Sequence, residues 1–378
     1  MEERPIRILQ VTGKMEVGGA ETLIMNLYRH MDRSRVQLDF VENTTDPSFF
    51  DEEIRSMGGR IYKCPHYTGK NHWSYIRWWK RFWKEHAGEY RVIHGHIGST
   101  AAIYLGLAKK QGLYTIAHSH GENGAGFGDY LYRLYAFPTR LIADQFFACS
   151  RLAGIDRYGK RVGSDPDRCL LLKNAIDTGK YALQPERRQA LRAQYGLSET
   201  ELLIGHVGRF SQVKNHSFLI DIFAALRAVR EDVRLILVGA EDAERKIRGK
   251  VEALGLSDKV IFTGVQQDTA PFYQAMDLFL LPSLSEGLPL VTVEAQASGL
   301  PCVISDHVSE DCILTEDLVT VCSLQASPEE WAWHILSRFP FRRQDRSAEL
   351  AAKGFDITQT AAWLEGFYES KDQMRHET

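Results

Sequence analysis

Two groups of residues in the second half of the chain have the types and spacing needed to hold a phosphorylated, hydroxyl-rich ligand. One reads Gly208-Arg209-Phe210, followed by Lys214-Asn215-His216 at the opening of a helical pattern. An arginine and a lysine on a turn ahead of a helix can neutralise a diphosphate, because the helix tip adds unpaired amides and positive polarisation. The other reads Ser285-Glu286-Gly287-Leu288-Pro289-Leu290, with Glu294 eight residues beyond Glu286. A carboxylate at a strand end can accept hydrogen bonds from sugar or ribose hydroxyls. The free amides of Leu290 and Val291, in the first turn of the next helix, can face a phosphate. Each group also has a plain reading: Arg209 and Lys214 as solvated cations, Glu286 as a cap, Glu294 as a solvated or internally paired helix residue.

Histidines make a third group. His94 and His96 fall on one strand face by alternation, and His118-Ser119-His120-Gly121 follows another apolar run. Two donors on a strand are not a metal site, so the expectation is that no metal is held. A site built from His94, His96 and His118 is the alternative. Four glycines in the stretch 121–128 make a mobile loop, expected to order over a bound acceptor.

These groups need a scaffold, and the chain alternates short apolar runs with longer helical patterns. Strands are expected at 6–12, 36–41, 92–96, 114–118, 145–150 and 169–173 in the first half. The second half repeats the rhythm at 202–207, 233–239, 259–263, 278–282 and 301–305. The runs lack strict polar alternation, as expected where helices cover both sheet faces. Between them lie amphipathic stretches such as 218–229, with Phe218, Leu219, Ile222, Phe223, Leu226 and Val229 on one face. Two successive series of this kind predict two Rossmann-like α/β domains, 1–176 and 177–356. A final helix at about 357–378, carrying Trp363, Leu364, Phe367 and Tyr368, is expected to pack back onto the first domain.

Composition narrows the classes. At 378 residues the chain exceeds the size at which one core stops growing. The 46 basic and 49 acidic residues nearly cancel, so no global field argues for nucleic acid. The six cysteines form no C-x-x-C pair, which speaks against a zinc or disulfide scaffold. The start lacks the basic segment and long apolar stretch of a secretion signal, so a cytoplasmic protein is expected.

The motifs together resemble the retaining GT-B glycosyltransferases of glycosyltransferase family 4, over essentially the whole chain. The matching pieces are Gly208-Arg209-Phe210 with Lys214, and Glu286-Gly287-Leu288-Pro289 with Glu294. Val17-Gly18-Gly19-Ala20-Glu21 and Asn174-Ala175-Ile176-Asp177 also match. The resemblance implies two doubly wound domains facing each other across a cleft, and a UDP-sugar as donor. Its acceptor would be a saccharide or lipid-linked saccharide, in bacterial exopolysaccharide or capsule assembly. Arg209 and Lys214 would neutralise the departing diphosphate, Glu294 would hold the ribose, and Glu286 the transferred sugar. Backbone groups near Gly264 and Val265 would meet the base. Gly18 and Gly19 would line the cleft from the N-terminal side, and His120 matches the histidine placed near the donor sugar. No metal or cofactor is implied. Asp165-Pro166-Asp167, the one Asp-x-Asp, precedes a strand and so does not suit the metal-chelating motif of the other large glycosyltransferase fold.

Rival readings are weaker on particular residues. An α/β-hydrolase would use Ser119 in Ala117-His118-Ser119-His120-Gly121 as nucleophile, but a glycine-rich loop follows where that elbow runs straight into a helix. Gly13, Gly18 and Gly19 lack the spacing of a dinucleotide fingerprint. A nucleotide-sugar epimerase, or a binding protein without activity, shares the residue types. Finally, segment 75–86 sets Tyr75, Ile76, Trp78, Trp79, Phe82 and Trp83 against Arg77, Lys80, Arg81 and Lys84 on the opposite arc. Either the aromatic arc packs on the sheet, or the helix touches the inner face of the cell membrane.

Overall fold

Strands form where short runs of branched and aromatic residues are bounded by turns, since such runs bury both faces of a sheet between helices. The computed structural model of the chain describes residues 4–16, 18–120, 136–239 and 243–373. The glycine-rich stretch 121–128 expected to cover an acceptor lies outside the described residues. The chain divides into two units, Met1–Ala175 with Ile357–Thr378, and Ile176–Asp356. The seam falls one residue before the boundary expected at 176/177.

The first unit holds β1 (Ile6–Thr12), β2 (Val36–Glu42), β3 (Ile61–Lys63), β4 (Val92–Gly95), β5 (Tyr114–Ser119), β6 (Gln145–Ala148) and β7 (Cys169–Leu171). They form one parallel sheet in the order β3-β2-β1-β4-β5-β6-β7. The second unit holds β8 (Leu202–Val207), β9 (Val233–Val238), β10 (Val260–Phe262), β11 (Leu278–Leu281), β12 (Cys302–Ser305) and β13 (Val319–Cys322). Their order is β10-β9-β8-β11-β12-β13, again all parallel. Both units are therefore doubly wound α/β sheets. In each, the winding reverses between the first and fourth strands, and ligands of such sheets bind beyond the carboxyl ends at that reversal.

The structure adds two strands that the pattern of apolar runs misses, β3 and β13. Both are edge strands of three or four residues, and neither carries an unbroken apolar run. In the helix His216–Val229 the buried residues are His216, Leu219, Ile220, Ile222, Phe223 and Leu226, whereas Val229, expected on the buried face, is 69% exposed at the last turn. The terminal helix, Ile357–Gln373, belongs to the first unit. Its Tyr368 is buried and bonded to Gln10 and His94, and Glu369 pairs with Arg35 at 2.6 Å.

The aromatic helix runs His72–Glu85 and buries Tyr75, Trp79, Phe82 and Trp83 in the core of the first unit. Trp79 stacks on Tyr104 at 5.7 Å, and Tyr75 bonds Asn43 at 3.1 Å. The four buried rings are committed to the core and Ile76 and Trp78 are partly buried, so the arc packs inward, while Trp73, Arg77, Lys80, Arg81 and Lys84 are exposed. Among the described residues no helix is long and apolar enough to cross a membrane. All six cysteines are buried free thiols.

Candidate active site

The second unit places both polar motifs at the reversal point of its sheet. β8 ends at Val207 and leads into Gly208 and Arg209; β11 ends at Leu281 and leads into Ser285 and Glu286. β8 and β11 are paired neighbours, with Leu278 beside Ile204 and Phe279 beside Gly205. Residues separated by more than seventy positions in sequence thus leave the sheet side by side.

Three strand ends are held close by glycines. Gly208 N–H donates to Val238 O at 2.9 Å, and Gly239 N–H to Gly264 O at 2.9 Å. Gly239 has φ +137°, and a Cβ there would lie 2.1 Å from Gly208 O. No side chain fits that approach, so the backbones after β8, β9 and β10 meet directly. Gly264 lies at this junction, and Val265 beside it is 77% exposed. Gly208 also leaves room for the Lys214 stem, whose Cε would stand 3.3 Å from a Cβ.

Lys214 ends a short 3-10 turn, Gln212–Lys214, and Asn215 then takes a left-handed φ of 54° to start the helix His216–Val229. Lys214 Nζ reaches Glu286 Oε1 at 2.7 Å, with both side chains about one-sixth exposed. Leu284 N–H donates to Val213 O at 2.7 Å, which ties the same two loops through the backbone. Glu286 is further clamped by its N–H to His307 O at 3.1 Å and by Ser309 N–H to its own carbonyl at 3.0 Å. Arg209, one residue past Gly208, is exposed. His206 and His216 sit beneath: His206 Nδ1–H donates to Leu280 O at 2.9 Å, and His216 stacks on Phe210 at 4.2 Å. Burial holds His216 down at about 4, with Lys214 pushing the same way, and burial likewise holds His206 well below its usual value. Both are neutral at pH 7, so Arg209 and Lys214 supply the cations and Glu286 the counter-charge.

Glu286 leads through Gly287, Leu288 and Pro289 into the helix Leu290–Ala297. No side chain caps this helix at Pro289. Leu288, Leu290 and Val291 are partly buried with their side chains on the core, so what they offer a ligand is backbone. Gly299, with φ +62°, ends the helix, and a Cβ there would strike Gln344 O at 1.8 Å. Glu294 Oε2 accepts a hydrogen bond from Tyr273 O–H at 2.7 Å. Burial raises its pKa, opposed by the bonds from Tyr273 and Tyr181. Sequence reasoning left the partner of Glu294 open. The structure supplies Tyr273 with Tyr181 behind it, from helices Ala270–Ala275 and Thr178–Tyr181, and nothing in the local spacing points to either.

In the first unit, Gly18 and Gly19 open the helix Gly19–His30 after β1, and no side chain caps it at Gly18. A Cβ on Gly18 would meet Glu21 Oε2 at 2.5 Å, while Gly19 has open space around it. Val17 lies outside the described residues. His120 follows β5 and its Nε2 stands 2.7 Å from His96 Nδ1. Burial holds His120 near 4, with Arg157 adding to the depression. Ser119 is buried, and its hydroxyl donates to Ala153 O at 3.4 Å.

The chain is similar to known proteins along its whole length. Residues 17–180 match the family Glycosyltransferase Family 4, and residues 187–338 match Glycosyl transferases group 1. The chain is 34% identical over 379 residues to the putative glycosyltransferase EpsF of Bacillus subtilis (strain 168), covering 98% of each. It is 23% identical over 238 residues, 61% of each chain, to the UDP-Gal:alpha-D-GlcNAc-diphosphoundecaprenol alpha-1,3-galactosyltransferase of Escherichia coli. Among solved structures it shares its fold with Anabaena Alr3699/HepE in complex with UDP, at a TM-score of 0.73 and 19% identity over 98% of this chain and 99% of that one. With two family matches in tandem and full-length kinship to a glycosyltransferase, the chain belongs to the group 1, family 4 glycosyltransferases and has their two Rossmann-like GT-B domains.

Proposed function

We propose that the protein transfers a hexose or N-acetylhexosamine from a UDP-sugar to a saccharide or lipid-linked saccharide, with retention at the anomeric carbon, in bacterial polysaccharide assembly. The observation that carries the proposal is the Lys214–Glu286 pair at the reversal between β8 and β11. It sets a cation beside Arg209 and ahead of the uncapped helix Leu290–Ala297, where a diphosphate gains two charges and amide dipoles together. Glu286 holds Lys214 in place before ligand arrives and can then accept a hydroxyl of the transferred sugar. Glu294, oriented by Tyr273, accepts from the ribose. The backbone at Gly264 and Val265 meets the base. His120, Gly18 and Gly19 belong to the other unit, and their roles beside the donor sugar come from the family resemblance.

In this mechanism the protein stabilises a leaving diphosphate by preorganised positive groups, the form of catalysis that suits a reaction whose charge develops on phosphate oxygens. No metal takes part in the transfer, because Arg209, Lys214 and the helix tip provide the neutralisation. The UDP-sugar named for the Escherichia coli relative supports uridine, and its diphosphoundecaprenol acceptor supports a lipid-linked saccharide. Buried free thiols throughout suit the cytoplasmic face of the membrane, where we place the reaction.

The test is a product analysis with a panel of UDP-hexoses and saccharide or lipid-linked saccharide acceptors. An acceptor-dependent glycoside with the donor's anomeric configuration is expected. An inverted product refutes retention, and an isomerised donor formed without acceptor refutes transfer in favour of epimerisation.

A further inference from the structure

The first unit contains a group of buried histidine nitrogens of which the transfer mechanism uses only His120. β4 and β5 pair with His94 beside Ile116 and Gly95 beside Ala117, so the next rung sets His96 against His118. By the alternation of the pleat, His94, His96 and His118 then share one face. One donor atom from each lies within 4.8 Å of the others. His94 Nε2, both nitrogens of His118 and His120 Nδ1 are buried with no hydrogen-bond partner. An unsatisfied buried polar atom costs about 1–3 kcal/mol, and one ion that takes His94 Nε2 and a single nitrogen of His118 would relieve two of these four. A cavity of about 10 Å³ borders Gln10, His94, His96, His118 and Tyr368, room for one water-sized particle.

We propose that His94, His96 and His118 bind one late first-row divalent cation, with Zn²⁺ the best match. Three imidazoles without a carboxylate suit zinc and its neighbours and do not suit Mg²⁺ or Ca²⁺, which demand oxygen ligands. The surrounding bonds fix the ligating nitrogen at His96 and suit one at His94. Gln10 Oε1, which can only accept, stands 2.8 Å from His96 Nε2, so that nitrogen carries the proton and Nδ1 keeps a lone pair. Tyr368 O stands 2.7 Å from His94 Nδ1 and can accept its proton, which leaves Nε2 bare. Outer-shell acceptors of this kind are what orient metal-bound histidines. Burial keeps His94, His96 and His118 neutral, so no proton competes with the ion. Tetrahedral zinc–nitrogen bonds of ~2.0–2.1 Å set two donors ~3.4 Å apart. Donors at the 4.8 Å limit must therefore close by up to roughly 1.4 Å, shared among rotations of the three rings about their broad terminal torsions. His96 Nδ1 now faces His120 Nε2 at 2.7 Å, so the ion either displaces His120 or takes it as fourth ligand. The ion is thereby set to hold His120 out of the transfer reaction. That consequence rests on the role proposed for His120, whereas the binding does not.

The experiment is titration of the full, chelator-stripped chain with Zn²⁺ by calorimetry and with Co²⁺ by visible absorption. One Zn²⁺ per chain is expected, with a tetrahedral Co²⁺ spectrum and no competition from Mg²⁺. His94→Ala and His118→Ala each weaken binding by at least about tenfold and abolish that spectrum, and Gln10→Ala weakens it by about tenfold through the lost outer-shell bond. His66→Ala, at an exposed histidine, changes nothing. Should His118→Ala fail to fold, His118→Phe keeps a ring in the cluster and must show the same loss. Absence of binding to the wild type, binding that survives loss of His118, or equal competition by Mg²⁺ overturns the proposal.

Discussion

The two reversal points of this molecule are built from opposite materials. At β8 and β11 the residues are charged and partly exposed: Arg209, and Lys214 paired with Glu286. At β1, β4 and β5 they are neutral, buried imidazoles closed over by Gln10 and Tyr368. The same sheet topology therefore delivers a site ready for a charged ligand in one unit and a desolvated polar cluster in the other. Topology chooses where a site lies, and the residue types at the strand ends choose what it can hold.

The contrast can be broken most forcefully at the charged end. Arg209→Ala combined with Lys214→Ala is expected to lower transfer by about 10²-fold or more, the scale of losing preorganised charge stabilisation. The stability cost should stay near ~1 kcal/mol, since a partly exposed ion pair contributes little. Steady-state kinetics and a denaturant melt read both. A variant that unfolds instead would erase the distinction between the two regions.

The buried imidazoles predict the next effect, on stability and with a definite sign. His94, His120 and His216 are depressed from 6.5 to about 3, 4 and 4 by burial. The native state then binds fewer protons than the unfolded chain, so the stabilisation is complete above pH 6.5 and drains away as pH falls toward 4. For the buried His216 the loss reaches up to ~3 kcal/mol across that window. Denaturant midpoints measured from pH 7.5 to 4.5 should fall steeply below pH 6.5, and His216→Phe should flatten part of the slope. A midpoint that holds steady to pH 4.5 contradicts neutral burial.

A smaller effect sharpens the account of Glu294. Tyr273→Phe removes one hydrogen bond to its carboxylate and should cost ~1 kcal/mol, read as a severalfold rise in the donor KM with kcat little changed. A fall in kcat alone would mean that Glu294 acts on the transition state and not on the ribose. Smallest of all, Trp73→Ala should change stability by less than ~0.5 kcal/mol, because this tryptophan is 76% exposed, whereas Trp79→Ala in the core should cost ~3–5 kcal/mol. Thermal melts of the two variants separate the outer from the inner face of the same helix.

The charged site was readable because its signals are local. Gly208, Arg209 and Lys214 follow the end of one strand, and Glu286 and Glu294 lie on the loop and helix that follow the end of another, so apolar runs and spacing pointed to these two strand ends. Edge strands β3 and β13 escaped, being too short to form an apolar run. The partner of Glu294 escaped because Tyr273 comes from a helix that only tertiary packing brings near. All three histidines of the cluster appear together as an alternative reading of the sequence, but alternation supports only His94 with His96; the register that sets His118 beside them is a cross-strand fact. Val229 misled because periodicity continues to a helix end whether or not the core does.

Uridine diphosphate binding tests the central claim most directly, followed as the rise in melting temperature with nucleotide concentration. The wild type should be stabilised by the diphosphate well beyond uridine alone, and the chain carrying Arg209→Ala and Lys214→Ala should show no rise. A double variant stabilised as much as the wild type would contradict a diphosphate seat at the ends of β8 and β11.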